Sequence, residues 1–365
     1  MNHVYTYTAS SLEEYLKIVA LISEMNRDFE DKKYYNALVP MWYRGNKKQH
    51  YNLVPTLLRE SKGVREGYSV DHLREDYRYQ HFKAKCNQLV EKSPETRIEW
   101  MELMQHFRAY TRMMDWSESA ITALMFSLEA FIDPDSDSAP MSKRSESTPT
   151  VWVLNPVKLN YHIYESLIEN LELVRKGFYE VIPSGISQTD RDKFIDKMSR
   201  AITNDIEQLF WDRDDPNIQG IICLSAIESD RQANATRIFH MLEDGEYNPF
   251  FYLLLRYYSD GLSVDMNALP PLAIVHPYHS HRIQVQHGVF TVSPYYKIDG
   301  NKVNGPEDSR PMEFQPKIRD CLYKIRILRP ASVAKELLTI GMRRTALYPE
   351  MDNYAKDIEA NGYMV

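Results

Sequence analysis

Apolar residues recur at helical spacing near the start of the chain, where Leu12, Tyr15, Leu16, Val19 and Ile22 would share one face. Ser11-Leu12-Glu13-Glu14 precedes them as a capping box, with Ser11 offering its hydroxyl oxygen to an unpaired amide and Glu14 reaching back. The pattern predicts a helix to about Met25. Residues 39–45 read as a short strand closed by Gly45, and 71–90 and 95–107 as helices. After Asp115-Trp116, residues 117–128 carry apolar positions at core-helix spacing, with Ser117 or Ser119 to cap them. Segment 133–149 is rich in Asp, Ser and Pro, offers almost nothing to bury, and is expected to be a mobile insertion.

A strand at 151–154, closed by Asn155-Pro156, follows at once. Helices are predicted at 160–176, at 189–210 with Thr189 as cap, at 230–241 and at 331–341. Strands are predicted at 220–224, 273–275 and 323–328, and no repeat of fixed period appears. This irregular alternation predicts an α+β protein, with mixed or antiparallel small sheets and packed helices. A helical segment at 1–38 would precede one domain at 39–365 that carries the insertion.

The chain has 365 residues, 43% hydrophobic and 26% charged, which excludes wholesale disorder. A formal net charge of -7 disfavours a protein that coats nucleic acid through charge alone. Cys86, Cys223 and Cys321 form no Cys-x-x-Cys pair, so neither a redox dithiol nor a thiolate zinc site is expected. So sparse a set also makes no disulfide framework. No basic stretch with an apolar run opens the chain, and no apolar run is long enough to span a bilayer. A cytoplasmic protein without a membrane anchor is the expectation.

Three segments carry more chemistry than a core requires. Trp42-Tyr43-Arg44-Gly45 leads to Leu53-Val54-Pro55-Thr56-Leu57-Leu58-Arg59. Gln105-His106-Phe107 leads to Thr111-Arg112-Met113-Met114-Asp115-Trp116-Ser117-Glu118-Ser119. The third is His281-Arg282-Ile283-Gln284-Val285-Gln286-His287-Gly288-Val289-Phe290-Thr291. An arginine ending a strand before a glycine suits phosphate: its planar fork matches phosphate oxygens, and glycine lets a ligand approach the backbone. Thr111, Arg112, Asp115, Ser117, Glu118 and Ser119 would gather at a helix N-terminus, where amides and dipole favour anions.

Structural roles compete at the same positions. Arg44 and Asp115 could form a buried pair, Asp115 could cap the following helix, and Trp116 and Phe107 read as core. His276, His279, His281 and His287 read as members of an alternating strand more readily than as zinc ligands.

Together the three segments resemble the FRG domain family, named for its aromatic-Arg-Gly motif. That family runs in the same order. An aromatic-Arg-Gly strand comes first, then a Pro-Ser/Thr-Leu-x-Arg turn, a Thr-Arg-Leu-Leu-Asp-Trp-Thr-x-Ser-Pro helix start, and an Arg-Ile-x-x-Gln-x-Gly-x-Phe-Thr segment. The tail at 337–354 is similar as well, so the resemblance covers about residues 40–360. Two departures stand out: His106-Phe107-Arg108-Ala109-Tyr110 replaces His-Tyr-Gly-x-Pro, and Ala120 stands where a proline opens the helix.

In outline the segments also look similar to arginine-specific ADP-ribosyltransferases, which implies an ADP-ribosyltransferase-like core. By that similarity Arg44 would hold the pyrophosphate of NAD, residues 117–119 would brace the nicotinamide ribose, and Gln286 would sit on the strand that carries a catalytic glutamate. Gly45, Arg59, His106, Thr111, Arg112, Ser117, Ser119 and Phe290 would bind the ligand around Arg44, Asp115, Glu118 and Gln286. Breaking the nicotinamide–ribose bond builds positive charge on the sugar, which a carboxylate stabilises. Gln286 is neutral, so Asp115 or Glu118 would take that role.

Three expectations follow. One is a cleft for a phosphate-bearing nucleotide, NAD being the cofactor implied, with ADP-ribosyl transfer or glycosidic cleavage and no metal. A second is a non-enzymatic sensor or protein-interaction module, in a toxin or phage-conflict setting, in which the Arg/Asp/Gln cluster is structural. The third, a nucleic-acid-processing enzyme with Asp115, Glu118 and Glu336 around a divalent metal, is disfavoured by the acidic balance and the lack of a paired-carboxylate motif.

Overall fold

The computed structural model describes residues 4–26, 41–58, 72–90, 93–94, 96–132, 148–204, 235–259, 262, 264, 268–275, 281–295 and 311–360. Within them the strands are β1 (Tyr5–Ala9), β2 (Trp42–Asn46), β3 (Met113–Ser117), β4 (Thr150–Leu154), β5 (Leu272–Ile274), β6 (Gly288–Val292) and β7 (Leu322–Ile327). They form one 7-stranded sheet in the order β1-β7-β4-β2-β3-β6-β5. β1 runs parallel to β7, and the other neighbours are antiparallel. The helices are α1 (Leu12–Met25), α2 (His72–Cys86), α3 (Arg97–His106), α4 (Ala120–Ser127), α5 (Glu129–Ile132), α6 (Pro156–Glu169) and α7 (Leu171–Tyr179). They continue with α8 (Gln188–Asn204), α9 (Ala235–Glu243), α10 (Pro249–Leu254), α11 (His281–Val285), α12 (Pro330–Thr339) and α13 (Met351–Ala360). The fold is α+β with a mixed sheet, as the alternation of elements predicts.

Alternation along the strands sorts side chains onto two faces. Tyr43, Val151, Val153 and Ile325 pack against Tyr15 and Ile22 of α1, Leu124 of α4 and Leu337 of α12. On the other face Trp42, Met114, Trp116, Trp152 and Leu322 pack with Val157 and Leu159 of α6. A third cluster, built mainly from α6 to α10, takes in Met113, Phe290 and Val292 from β3 and β6. β4 is buried at all its positions, so Thr-Val-Trp-Val-Leu shows no polar alternation.

Local chemistry fixes the helix ends. Ser11 Oγ accepts from the Glu14 amide at 3.2 Å, and Glu14 accepts in return from the Ser10 amide at 2.6 Å, one residue earlier than a strict capping box requires. Glu336 on α12 accepts from the Leu12 amide at 2.6 Å and joins the two helices. Asn155 caps α6, with Pro156 in its first turn.

Several expectations are corrected. The segment at 1–38 is not helical alone, because β1 extends the sheet along β7. The run from Met113 to Ser117 is a strand, with Met113 and Met114 buried toward opposite faces, and the helix start expected there is left to Ser119. The helix predicted at 160–176 begins at Pro156 and breaks at Asn170 into α6 and α7. Residues 281–293 divide into α11, a turn and β6, so His281 opens a helix and does not lie in an alternating strand. The strand predicted at 220–224, most of the 133–149 insertion, His276 and His279 lie outside the described residues.

Gly45 has a different role from the one its sequence context suggests. A Cβ built there would lie 2.0 Å from the Ala123 carbonyl oxygen and 2.6 Å from the Ser127 nitrogen. The backbone of α4 therefore lies directly on β2, and glycine is what permits that approach.

Candidate functional site

β2 and β3 are neighbours that meet at the single register pair Tyr43↔Ser117, whereas β2 follows β4 and β3 follows β6 along their whole lengths. Beyond that pair the strands part, and a cleft of about 890 Å³ lies beside the split. Arg44 and Asn46 of β2, Asp115 and Trp116 of β3, and Gln105 and His106 of α3 line it. Arg282 and Gln286 supply a further wall.

Strand register puts Arg44 on the face of Trp152, and Asp115 on the face of Ser117 and Phe290. Arg44 spans the opening: its Nη1 donates to the Asp115 carbonyl and lies 3.9 Å from Asp115 Oδ2. The two side chains are 17% and 55% exposed, so this is not a pair sealed in dry interior. Asp115 Oδ2 accepts from Gln105 Nε2 at 3.1 Å, and Gln105 Oε1 accepts from Thr111 Oγ1 at 2.6 Å. Asp115 thus sits within β3, held by Gln105 and through it by Thr111, and does not cap α4. Ser119 is the cap, accepting from the Thr122 amide at 3.2 Å.

Ser117 Oγ accepts from the Ser119 amide at 3.0 Å and donates to the Gln286 carbonyl at 2.7 Å, tying β3 to the turn before β6. Gln286 does not occupy a strand: it lies in that turn, and its Nε2 donates to the Leu347 carbonyl at 2.7 Å. His106 is half-buried, and burial, followed by the charge of Arg282, holds its pKa below the ordinary value. Glu102, Glu350 and Asp115 pull the other way without reversing this, so the imidazole is neutral at pH 7. Burial pushes Tyr43 up to about 12, which keeps its phenol protonated as a donor.

The structure thus brings Arg44, Gly45, His106, Asp115, Ser117, Gln286 and Phe290 to one cleft. Arg112 does not reach it. That side chain is fully buried, pairs with Glu75 at 2.7 Å, donates to the Ser293 and Tyr258 carbonyls, and stacks 3.7 Å from the Tyr295 ring centroid. Thr111 is also fully buried and acts through Gln105. Glu118 and Ser119 lie outside the cleft lining, and Arg59 lies outside the described residues. Phe107, read as core, is 64% exposed because α3 ends on it.

Lys47, which sequence reasoning named as a basic residue able to steer a nucleotide, lines the cleft, whereas Glu129 and the cleft roles of Gln105, Arg108 and Arg282 were missed. Lys47 pairs with Glu129 at 3.0 Å, Glu129 accepts from the Tyr348 hydroxyl at 3.0 Å, and Arg282 lies 4.4 Å from the Tyr348 ring centroid. The four-residue spacing of Arg282 and Gln286 was the available signal for one shared wall. Among the described residues no three His, Cys, Asp or Glu side chains gather as metal ligands, and Glu336 is engaged at the start of α1.

A mixed sheet split beside a polar, arginine-bearing cleft defines an α+β protein with a small-molecule-sized site. Residues 39–136 match the family model of the FRG domain. The match spans β2 to α5 and so contains Arg44, His106 and Asp115, while Gln286 and the tail lie beyond it. No curated protein and no solved structure matches the chain. No helix of the described residues is long and apolar enough to cross a membrane.

Proposed function

We propose that the cleft binds a phosphate-bearing nucleotide, with NAD the first candidate. One observation carries this reading: Arg44 and the part-exposed carboxylate of Asp115 share an opening of about 890 Å³, a volume within the usual range of ligand pockets. The bond from Arg44 to the Asp115 carbonyl orients the guanidinium at the split, and its planar fork suits a diphosphate. Tyr51, exposed in the lining, adds aromatic surface for a base or nicotinamide ring.

Asp115 is the carboxylate for chemistry at the ribose. The glycosidic C–N bond breaks with its electron pair going to the nicotinamide nitrogen, which neutralises the pyridinium. Asp115 stabilises the cationic sugar that remains. Water or an acceptor hydroxyl then forms the new C–O bond, and its proton passes to Asp115. Gln105 and Thr111 hold that carboxylate in place.

Thermal unfolding with NAD and with ADP-ribose tests binding. Both are expected to raise Tm of the wild type, Arg44→Ala is expected to abolish the shift, and absence of any shift at millimolar nucleotide would sink the reading. Asp115→Asn is expected to keep the shift and lose release of nicotinamide.

Gln286 favours a second reading, binding without turnover, because it is neutral and its amide is committed to the Leu347 carbonyl. Binding of NAD without consumption, unchanged by Asp115→Asn, selects that reading, in which the protein is a sensor or interaction module.

A further inference from the structure

α3 ends through a residue in the left-handed region. The Arg108 amide returns to the Gln105 carbonyl at 2.9 Å and the Ala109 amide to the Met104 carbonyl at 2.8 Å, with Arg108 at φ 63°. Glycine takes this conformation freely, while an L-residue meets its own Cβ there. Glycine would end the helix without that strain, which the favourable placement of a cation at a helix C-terminus offsets only in part. The Arg108 side chain is exposed and lines the cleft. Among the described residues Arg108 makes no side-chain hydrogen bond, ion pair or ring contact. The other arginines of the cleft are engaged, Arg44 with the Asp115 carbonyl and Arg282 on the Tyr348 ring.

A strained backbone kept by arginine where glycine would serve, at the edge of a site, points to a function for the side chain. Arg282 lines the same cleft within electrostatic reach of His106, and the carboxylates of Glu102, Glu350 and Asp115 lie within reach as well, so Arg108 and Arg282 supply the positive charge that an arriving anion would meet there. The geometry points to Arg108 as a second anion-binding residue. The cleft then takes a nucleotide bearing a charged group beyond the one that Arg44 holds, such as a phosphate monoester on a ribose. This rests on the nucleotide reading and adds a specificity to it.

Calorimetric titration of NAD and of its 2′-phosphorylated form, NADP, into wild type and Arg108→Gly tests the assignment. Wild type is expected to bind NADP at least about tenfold more tightly than NAD, the scale of one charge-assisted contact. Arg108→Gly is expected to lose that preference, keep NAD affinity within about twofold, and raise Tm of the free protein by relieving the backbone. Arg108→Lys is expected to retain part of the preference without the rise in Tm. If wild type binds both dinucleotides alike, or Arg108→Gly keeps the preference, the assignment is overturned while nucleotide binding stands. If neither dinucleotide binds, both fall.

Discussion

Gly45→Ala separates two explanations of the aromatic-Arg-Gly strand. If the glycine exists to admit a ligand, alanine would cost binding and leave stability alone. The structure predicts the reverse. The new methyl would lie 2.0 Å from the Ala123 carbonyl oxygen, 2.6 Å from Ser127 N and 3.0 Å from Phe126 Cβ. Ordinary contact begins near about 3.4 Å, so α4 would have to retreat by more than about 1 Å. Two of the three atoms are helix backbone, and α4 is held at its start by the Tyr15 hydroxyl bonded to the Ala120 carbonyl at 2.8 Å. Overpacking of this kind costs roughly 1–3 kcal/mol, and obstruction by backbone argues for the upper end. The lower entropy of an unfolded alanine chain returns about 0.5–1 kcal/mol. A net loss of about 2–2.5 kcal/mol, set against an unfolding entropy of about 2.1 cal/mol/K per residue, lowers Tm by roughly 3 °C in a chain of 365 residues. Thermal melting and urea denaturation read it directly, with nucleotide titration in parallel. An unchanged Tm together with lost binding would refute the packing argument.

Two further substitutions probe the frame around the cleft. Arg112→Ala leaves Glu75 charged in the interior, where the two side chains are 0% and 1% exposed, and is expected to cost about 3–5 kcal/mol in urea denaturation; a loss below about 1 kcal/mol would contradict a structural role. His162 lies 2.7 Å from Glu165 and 2.8 Å from Asp320. Burial opposes its imidazolium, but the hydrogen bonds it donates to both carboxylates outweigh burial and raise its pKa above the ordinary 6.5. A raised folded pKa means that this stabilisation is complete below the unfolded value and is lost as pH climbs through the folded one. Asp320, burial notwithstanding, is held down to about 2 by His162 and Lys158, so its side of the pair persists into strong acid. His162→Gln is expected to flatten the fall of Tm as pH climbs above about 6.5; a profile identical to wild type would contradict it.

The sequence made some of this architecture legible, for physical reasons that differ by element. α1 was readable because its cap and apolar face are local, and β4 because five consecutive apolar or β-branched residues fit a strand covered on both faces. β3 was not, since the exposed Asp115 interrupts its apolar run and the serines behind it advertise a helix start. α11 has five residues, too short for helical period to show, so Gln286 was assigned to a strand it precedes. Arg44 and Asp115 could be paired from sequence. That Arg112 belongs to the interior depends on Glu75, 37 residues earlier, and no local pattern announces it. The glycine after Arg44 revealed a close approach without revealing that α4 makes it.

The most direct test of the cleft is hydrogen–deuterium exchange with and without saturating ADP-ribose. Nucleotide binding at the split sheet predicts slowed exchange confined to the segments that line the cleft, 43–54, 102–108, 115–117, 126–129 and 282–290. Protection elsewhere, or identical exchange in the two samples, would contradict it.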